Sequence, residues 1–554
     1  MYKKFTIGIV FILFASVLSS VTSFALPGDT DSGYGGDGIA VINETDNYDS
    51  GYAVAVDSLD RTVIVGTCYN NGNQRDACVA RFDSNGTPDT NFSDDGFFIA
   101  DLGEAGNYDE TRAVAIDSLN RIIVASSCYN ATGAGRADYC LMRLTASGNL
   151  DTSFGGDGTV YVDMGDIGSY DGIRAVAVDS LRRVIATGDC ETVFAVRQSF
   201  CTVRLTATGN LDTSFGGDGK VYTDVSDDAW GDEVRDLDID SLRRVIVGGK
   251  CEENNQFHHC LIRYTATGNL DTSFGGDGIV MQDPYLNTTG QDYQDWVEQV
   301  AVDSQNRIVT AGPCYTDGRV ATVWCVARYT TTGNLDTSFS DDGFTHTTWS
   351  GYREDIYGLA LDSYDRPVIA GRYYDNRYET RVYRFSENGE LNTWFGANGD
   401  GFVQLPESDI GEVFFPFDYD RMIGGRDRRP NGMVAVTSHD QIMLAGRCTT
   451  APDNWGDDEP DMCTLRLDTE NNWGNNNTES FFSCGTHTAN ARFGETMTIG
   501  DFNGDTIEDL AVGSPGSNIA GYDGNRHGKV TIFYGPGIVR DCQPIHQGTF
   551  EGSP

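Results

Sequence analysis

Short runs of apolar and β-branched residues, four to seven long, recur along most of the chain and predict β-strands. The stretch "IRAVAVDSLRRVIATGDC" from Ile173 contains two such runs, separated by a turn of hairpin length. "GTVYVDM" before it and "FCTVRLTATG" after it add one run each, which makes four strands per unit. No unit shows the period of an amphipathic helix. The pattern therefore predicts an all-β fold of four-stranded antiparallel units.

A nonapeptide, LDTSFGGDG, marks the units and occurs unchanged at 150–158, 211–219 and 270–278. Four degenerate copies begin at Thr30, Pro88, Leu335 and Leu391, so that seven copies lie 56 to 65 residues apart. We expect this loop to join the last strand of one unit to the first strand of the next. Its glycines permit positive φ, and its aspartates can cap turn amides.

Seven repeats predict a closed, seven-bladed β-propeller over residues 26–468, because propellers typically have four to eight blades. A solenoid of stacked sheets is the alternative. Six units carry an aspartate and an arginine four residues apart around the turn, which we interpret as a structural pair; an exposed pair contributes little. These pairs are Asp57/Arg61, Asp117/Arg121, Asp179/Arg183, Asp240/Arg244, Asp303/Arg307 and Asp362/Arg366. Thr437 and Gln441 replace both members in the seventh unit.

Cysteines also occur in pairs within units, and we predict that each pair forms a disulfide between the last two strands of its unit. The pairs are Cys68–Cys78, Cys128–Cys140, Cys190–Cys201, Cys251–Cys260, Cys314–Cys325 and Cys448–Cys463. The sixth unit lacks both cysteines and has Tyr373 and Arg381 instead. Metal clips are the weaker alternative, because no second pair or histidine recurs at regular spacing.

Two segments of the unit together resemble a known repeat. "AVAVDSLRRVIATG" followed by "TATGNLDTSFGGDG" resembles the delta-60 repeat of bacterial surface and secreted proteins, over residues 29–468. The resemblance implies a β-propeller and no common chemistry.

After an Asn-rich linker at 469–482, oxygen-bearing side chains cluster at Asp501, Asn503, Asp505 and Asp509. Their spacing on a glycine-bearing loop suits Ca²⁺, a hard cation that takes six to eight oxygen ligands. The loop is not an EF-hand, because Val512 occupies the twelfth position, where a glutamate is required. The apolar runs "TMTIG" and "DLAVG" on either side predict that the loop lies in a hairpin.

This region resembles an FG-GAP repeat, the blade unit of integrin α-chain propellers. Phe493-Gly494, Gly513-Ser514-Pro515 and "GKVTIFYG" from Gly528 carry the resemblance. It implies that the Ile507 carbonyl completes the calcium ligands. We place the repeat at 483–554, with Cys484–Cys542 bracketing it as a seventh disulfide. Since one blade cannot close a propeller, we expect the chain to be a piece of a longer protein; the alternative is a remnant repeat that packs on the first domain.

The N-terminus predicts a signal peptide at 1–25, with Lys3 and Lys4 before an apolar run and a cleavage site at Ser23-Phe24-Ala25. We therefore expect a secreted or cell-surface protein, where disulfides form. The net charge of −43 argues against nucleic acid and anionic membranes as partners. It is compatible with cation binding or with solubility alone. No other segment is long enough to insert into a membrane as a helix.

Catalytic motifs are scarce. There is no G-x-S-x-G, H-E-x-x-H or Walker loop, and "GYGGDG" at 33–38 is a copy of the repeated loop. We interpret His258-His259 as a surface-loop pair. Trp230, Trp296 and Trp349 are interpreted as blade-packing residues, with a carbohydrate groove as the alternative.

The sequence thus favours a non-enzymatic binding or adhesion protein for an unknown protein or glycan ligand. The alternative is a propeller glycosidase or lyase that acts on polysaccharide, with acid/base carboxylates in the central funnel. A blade with polar residues unlike its sisters at matching funnel positions would favour the enzyme. The seventh unit is the most divergent, and its Asp418, Asp420 and Arg421 are candidates for such a site, although we interpret this unit mainly as a closing or capping blade.

Overall fold

The computed structural model describes most of residues 30–467 and three strands between 496 and 533. Within the first range it leaves out residues 32, 37, 43–48, 70–74, 103–108, 130–136, 165–170, 193–194, 226–230, 254–255, 283–294, 316–321, 348–352, 375–377, 394, 397–399, 406–431 and 449–460. For some strand residues, Cys448 among them, only the backbone is described. The chain divides into two compact units, one from Ala25 to Asn471 and one that contains Asn472–Pro554.

The larger unit begins with β1 (Ile39–Ile42) and continues as blades of four antiparallel strands, each ordered from the inner to the outer strand. Blades 1 to 3 contain β2 (Asp49–Val56), β3 (Thr62–Tyr69), β4 (Arg75–Phe82), β5 (Phe97–Ala100); β6 (Asp109–Ile116), β7 (Ile122–Tyr129), β8 (Ala137–Leu144), β9 (Thr159–Val162); β10 (Asp171–Val178), β11 (Val184–Thr192), β12 (Ala195–Leu205), β13 (Lys220–Thr223).

Blades 4 to 7 follow in the same order. Their strands are β14 (Glu233–Ile239), β15 (Val245–Glu253), β16 (Gln256–Tyr264), β17 (Ile279–Met281); β18 (Gln299–Val302), β19 (Ile308–Tyr315), β20 (Thr322–Tyr329), β21 (Phe344–His346); β22 (Arg353–Leu361), β23 (Pro367–Tyr374), β24 (Tyr378–Arg384), β25 (Phe402–Leu405); β26 (Val434–Val436), β27 (Ile442–Cys448), β28 (Asp461–Leu467).

The chain's first strand closes the ring. β1 pairs with β28, with Ile39 opposite Leu465, and thereby supplies the outer strand of blade 7. The prediction of a closed seven-bladed propeller is confirmed. The sequence unit, however, is not the blade but is offset from it by one strand. The nonapeptide at 211–219 therefore lies inside blade 3, between β12 and β13, and not between blades as the repeat phase suggested.

The hydrophobic core lies between neighbouring blades. Seven clusters of buried side chains in the described part of the chain each span one junction, including the junction of blades 7 and 1. The nonapeptide aromatic residue is fully buried in every copy, as Tyr34, Phe92, Phe154, Phe215, Phe274, Phe339 and Phe395. Burial of one such ring stabilises the fold by about 1.5–3 kcal/mol.

A buried arginine lies above each of these rings, and in six blades it donates to a backbone carbonyl of the next blade. Arg204 Nε donates to Asp212 Oδ2 at 2.8 Å, and its NH1 donates to the Ala266 carbonyl of blade 4 at 2.6 Å. Its guanidinium carbon lies 4.6 Å from the centre of the Phe215 ring. We call this arrangement the arginine latch. Its aspartate and aromatic ring come from the nonapeptide, so stacking of the blades explains why that loop is repeated.

The predicted turn pair belongs to the same network. Arg183 NH2 lies 2.5 Å from Asp179 Oδ2, and Arg183 NH1 lies 3.5 Å from the latch residue Asp212. The Asp179 side chain is only 1 % exposed, so the pair is not a weak surface interaction. In blade 7 the replacement Gln441 keeps the link, because its Nε2 donates to Asp31 Oδ2 at 2.9 Å.

Disulfides join the second and third strands of the blades, as the sequence predicts. The structure contains Cys68–Cys78, Cys128–Cys140, Cys190–Cys201, Cys251–Cys260 and Cys314–Cys325. Cys463 is also disulfide-bonded, and the side chain of its predicted partner Cys448 lies outside the described residues. In blade 6 the guanidinium of Arg381 lies 3.4 Å from the centre of the Tyr373 ring, at the place of the disulfide.

The second unit contains a three-stranded antiparallel sheet, with β29 (Thr496–Gly500), β30 (Asp509–Ser514) and β31 (Lys529–Phe533). The predicted hairpin is confirmed, with Ile499 opposite Leu510. Of the predicted calcium ligands, Asp509 is the first residue of β30, and the others lie outside the described residues. The same holds for the signal peptide, the linker, Cys484 and Cys542. No helix that the structure describes has the length and apolar composition needed to cross a membrane.

Candidate functional site

A β-bulge interrupts the inner strand of five blades. In blade 3, Ile173 pairs with Gly188 and Ala175 with Thr187, so that Arg174 is the extra residue. Bulges re-aim a side chain and are frequent beside functional sites. Each extra residue lies five positions before the first residue of the turn to the second strand, which is Asp179 in blade 3. Together with the residues at the same position in blades 5 and 7, the extra residues form a set that we call the bulge ring. Its members are Tyr52, Arg112, Arg174, Arg235, Glu298, Tyr357 and Gly432.

Charged side chains concentrate where the bulge ring passes from blade 4 to blade 5. Arg235 NH2 lies 2.8 Å from Glu233 Oε2, and Arg235 NH1 lies 3.8 Å from Glu298 Oε1. Lys250 Nζ lies 2.7 Å from Glu233 Oε1, and the indole N–H of Trp296 donates to Glu298 Oε2 at 2.7 Å. We call these five residues the blade 4–5 cluster. It lies at the end of the central channel where the inner strands begin, here named the entry end.

Lys250 is unusual in this chain, because only one other lysine, Lys220, occurs between residues 30 and 471. Its Nζ lies 4.3 Å from the ring centre of Phe257 and 5.6 Å from that of Trp296. Burial lowers the pKa of Lys250, and the nearby Arg235 adds to the effect, although Glu233 opposes it. Burial alone would raise the pKa of Glu233, but Arg235 and Lys250 outweigh it and hold the pKa below its ordinary value.

Two further members of the bulge ring extend the charged region into blades 2 and 3. Arg112 NH2 lies 2.9 Å from Glu110 Oε2, and Arg174 NH2 lies 2.8 Å from Asp189 Oδ2. Three consecutive blades therefore present an arginine at the same place, each paired with a carboxylate. A guanidinium has five N–H donors and can bind its carboxylate and another acceptor together.

Blade 4 also differs from its sisters farther along the channel. Asp236 and Asp238 occupy positions where blades 1 to 3 have alanines, such as Ala175 and Ala177. Asp236 Oδ2 accepts a hydrogen bond from the backbone N–H of Val300 in blade 5, at 2.8 Å. Burial, reinforced by Asp238 and Glu298, raises the pKa of Asp236 to about 8, even though backbone hydrogen bonds oppose the shift.

Asp238 makes the equivalent bond to the backbone N–H of Val302 at 2.7 Å, and burial raises its pKa to about 6. Blade 4 is therefore the blade whose polar residues differ from those of its sister blades at the matching funnel positions. Asp418, Asp420 and Arg421 of the seventh unit lie outside the described residues. An alignment of the units on their turn residues would have revealed Asp236 and Asp238, because blades 1 to 3 have alanine at both positions.

The histidine pair is not in a surface loop, so that interpretation was wrong. His258 and His259 belong to β16 and are buried, at 9 % and 4 % exposure. His259 Nδ1 lies 3.1 Å from the Tyr329 hydroxyl, and its Nε2 lies 3.0 Å from Thr310 Oγ1. Burial lowers the pKa of His259 to about 3, so the ring is neutral and structural.

The three tryptophans singled out in the sequence have different outcomes. Trp296 belongs to the blade 4–5 cluster and is partly exposed, so it is not simply a packing residue. Trp230 and Trp349 lie outside the described residues.

Acidic groups meet between blades at the entry end. Carboxylate oxygens of Asp76, Asp101 and Asp109 lie within 4.8 Å of one another, as do those of Asp138, Asp163 and Asp171. Asp109 accepts the backbone N–H of Leu102 at 2.6 Å, and Asp171 accepts that of Met164 at 2.7 Å. These bonds tie the segment that follows the outer strand of one blade to the inner strand of the next, which gives both inner-strand aspartates a structural role.

Comparisons with known families match parts of the chain. The family described as a domain of unknown function (DUF5122) beta-propeller matches residues 60–92, 120–154 and 243–274, and the FG-GAP repeat matches residues 493–533. The matches support a propeller repeat and an FG-GAP repeat. Neither family is described as the delta-60 repeat, so that resemblance is not confirmed. A search of curated proteins finds no match to the chain.

Solved structures with a similar fold are distant in sequence. A protein of unknown function from Dyadobacter fermentans is 9 % identical, with a TM-score of 0.37 over 78 % of this chain and 98 % of that one. The polysaccharide lyase Uly1 is 10 % identical, with a TM-score of 0.42 over 81 % and 98 %. The β-propeller domain of the trilobed protease from Pyrococcus furiosus is 6 % identical, with a TM-score of 0.36 over 74 % and 98 %.

Proposed function

We propose that the protein is a secreted or cell-surface, non-enzymatic binding module that holds a glycan at the entry end of its channel. The observation that carries the proposal is the blade 4–5 cluster, where two carboxylates, two cations and a tryptophan meet at the junction of two blades. An extracellular location is supported by the disulfides and by the signal-like N-terminus.

The chemistry of the cluster suits a sugar. Carboxylates of Glu233 and Glu298 and cations of Arg235 and Lys250 stand side by side. A hydroxyl group donates and accepts hydrogen bonds at once, so it can bridge such a pair without bringing a net charge. Trp296 adds a rigid amphipathic surface of the kind that binding sites use.

Arg235→Met and Lys250→Met are each expected to weaken binding of the recognised polysaccharide about 10- to 100-fold, because hydrogen bonds to charged groups are worth about 1.5–3 kcal/mol. The measurement is a panel of neutral and acidic polysaccharides bound to the immobilised full chain. Arg372→Met, at the sister position of Lys250 in blade 6, is the matched control and should bind normally. Equal binding by all three variants, or no binding by the wild type, would contradict the proposal.

A polysaccharide-cleaving enzyme is the second candidate, favoured by Asp236 and Asp238. A carboxyl group with a pKa of about 8 carries a proton at neutral pH, while its neighbour with a pKa of about 6 is mostly ionised. Two groups whose pKa values are pushed apart can serve as acid and base. The same panel, assayed for new chain ends, decides between the candidates: turnover that Asp236→Asn abolishes would replace the binding proposal.

We also propose that the FG-GAP repeat binds Ca²⁺ through Asp501, Asn503, Asp505, Asp509 and the Ile507 carbonyl. The support is the donor set, which is all oxygen and includes three carboxylates that repel one another without a cation. In a calcium titration of the full chain, the wild type should bind one more ion than Asp505→Ala. Equal stoichiometry for a folded wild type and a folded variant would refute the site.

A further inference from the structure

The turn between the inner and second strands contains one residue in the left-handed conformation in every blade. These residues have φ between 55° and 61° and are Asp60, Asn120, Arg182, Arg243, Asn306, Asp365 and Asp440. Aspartate and asparagine tolerate this conformation, because their short side chains bond locally. Five of the seven positions follow that rule. We call the opposite end of the channel, where these turns lie, the turn end.

The aspartates and asparagines also bind the preceding blade. Ser304 donates from its backbone N–H to Asp365 Oδ1 at 2.9 Å and from Oγ to Oδ2 at 2.6 Å. Ser438 binds Asp60 in the same way across the junction of blades 7 and 1. This serine clamp occurs at all five positions.

Blades 3 and 4 have neither an aspartate or asparagine at this position nor, among the described residues, the serine clamp. Arg182 and Arg243 hold a φ of 61° with a bulky side chain, which is a strained arrangement. The serines that would clamp to them, Ser118 and Ser180, make no such bond among the described residues. Stability therefore does not explain two neighbouring arginines here, and strained residues of this kind cluster at functional sites.

Among the residues that the structure describes, no carboxylate neutralises either of the two guanidinium groups. In the part of the chain that the structure describes, neither Arg182 nor Arg243 forms an ion pair, and Arg243 Nε is buried without a hydrogen-bond acceptor. The latch, turn and bulge-ring arginines contrast with them, as in the pairs of Arg204, Arg183 and Arg235. In a chain with a net charge of −43, two adjacent unneutralised cations mark a specific place for an anion.

An exposed leucine precedes each of these arginines. Leu181 is 53 % exposed and Leu242 is 59 % exposed. The surface thus presents apolar and cationic side chains alternately on two neighbouring blades. We call Leu181, Arg182, Leu242 and Arg243 the Leu–Arg patch.

We propose that the Leu–Arg patch docks an acidic segment of a partner protein, whose carboxylates bind the two guanidinium groups while its apolar side chains cover the two leucines. Charge complementarity selects an acidic partner, and bidentate guanidinium–carboxylate pairing gives specificity. Aliphatic leucines favour a protein over a glycan, because sugar rings pack on flat aromatic faces. The patch lies at the turn end and is independent of the glycan proposal.

The test uses the full chain and the double variant Arg182→Asn/Arg243→Asn, which restores the residue type of the sister blades. It should unfold at a higher temperature than the wild type, because strain is relieved and two serine clamps can form. A synthetic peptide of alternating Glu and Leu should bind the wild type and bind the variant at least tenfold more weakly. Leu59→Asn removes an exposed leucine outside the patch and should change neither quantity.

The other arms of the experiment use an all-Glu peptide and polygalacturonate. Both should bind more weakly than the Glu/Leu peptide, and Leu181→Asn/Leu242→Asn should remove the difference between the two peptides. Equal binding of the two peptides to the wild type, preferred binding of polygalacturonate, or undiminished Glu/Leu binding by the arginine variant would overturn the proposal. So would a wild type that binds none of the probes.

Discussion

Arg204→Met is expected to lower the free energy of unfolding by about 3–5 kcal/mol, because it breaks a buried ion pair from one side. Arg204 is only 1 % exposed, and its loss removes the guanidinium donors to Asp212 Oδ2 and to the Ala266 carbonyl. Methionine preserves much of the apolar stem of the arginine side chain, so the loss in free energy of unfolding measures the contribution of the guanidinium group. Urea unfolding of the full chain, followed by intrinsic fluorescence, measures the change.

Asp179→Thr/Arg183→Gln is the matched control for this variant. It copies both natural replacements of blade 7, Thr437 and Gln441, where Gln441 still reaches Asp31, and it leaves no buried carboxylate without its partner, so its cost should be about 1 kcal/mol or less. Equal destabilisation by the two variants would contradict the latch as the principal link between blades.

The pH dependence of the Arg204 deficit follows from Asp212. Burial would raise the pKa of Asp212, but hydrogen bonds from Ser214 and the guanidinium of Arg204 outweigh it and hold the pKa below its ordinary value. A carboxylate with a lowered pKa stabilises the fold above its ordinary pKa of about 4, and that contribution is lost as the pH falls through the folded-state value. The difference between wild type and Arg204→Met should therefore be full at pH 7 and shrink below about pH 4.

Removal of one disulfide, by Cys190→Ala/Cys201→Ala, is expected to cost about 3 kcal/mol, because a loop of about ten residues is no longer closed in the unfolded chain. The pair joins β11 to β12, and both cysteines are fully buried. Non-reducing peptide mapping establishes the bond in the wild type, and urea unfolding measures the deficit. Links between cysteines of different blades, or mostly free thiols, would contradict the pairing.

A reductant provides the internal control for the disulfide variant. It should lower the stability of the wild type more than that of the variant, since the variant has one disulfide fewer to lose. Blade 6 shows that a blade can form without the bond, because Arg381 stacks on Tyr373 at the equivalent place.

The fold could be predicted from the sequence because the same physical requirement recurs in every unit. Each blade must bury both faces, so its apolar runs, turn residues and nonapeptide repeat together. The phase of the blade could not be predicted, because β1 pairs with β28 and the two are more than four hundred residues apart in sequence. The repeated loop thus looked like a connection between blades, although it carries the latch within one.

The candidate sites were harder to predict, because they are departures from the repeat and not motifs. Asp236 and Arg182 both stand out once the units are aligned on their turn residues. Their roles could be inferred only from the structure. It shows that Asp236 accepts the Val300 N–H, and that Arg182 occupies the left-handed turn position where five other blades have the aspartate or asparagine of the serine clamp. The bulge at Arg235 likewise follows from strand register, which the apolar pattern alone does not specify.

The central claim is that one sector of the ring, blades 4 and 5, binds the ligand at the entry end. Hydrogen–deuterium exchange of the full chain, with and without the polysaccharide that binds best in the panel, tests it most directly. The account predicts slower exchange in β14 (Glu233–Ile239) and β18 (Gln299–Val302), with no change in β22 (Arg353–Leu361) or β26 (Val434–Val436). Protection confined to blades 6 and 7, or spread evenly over all inner strands, would contradict it.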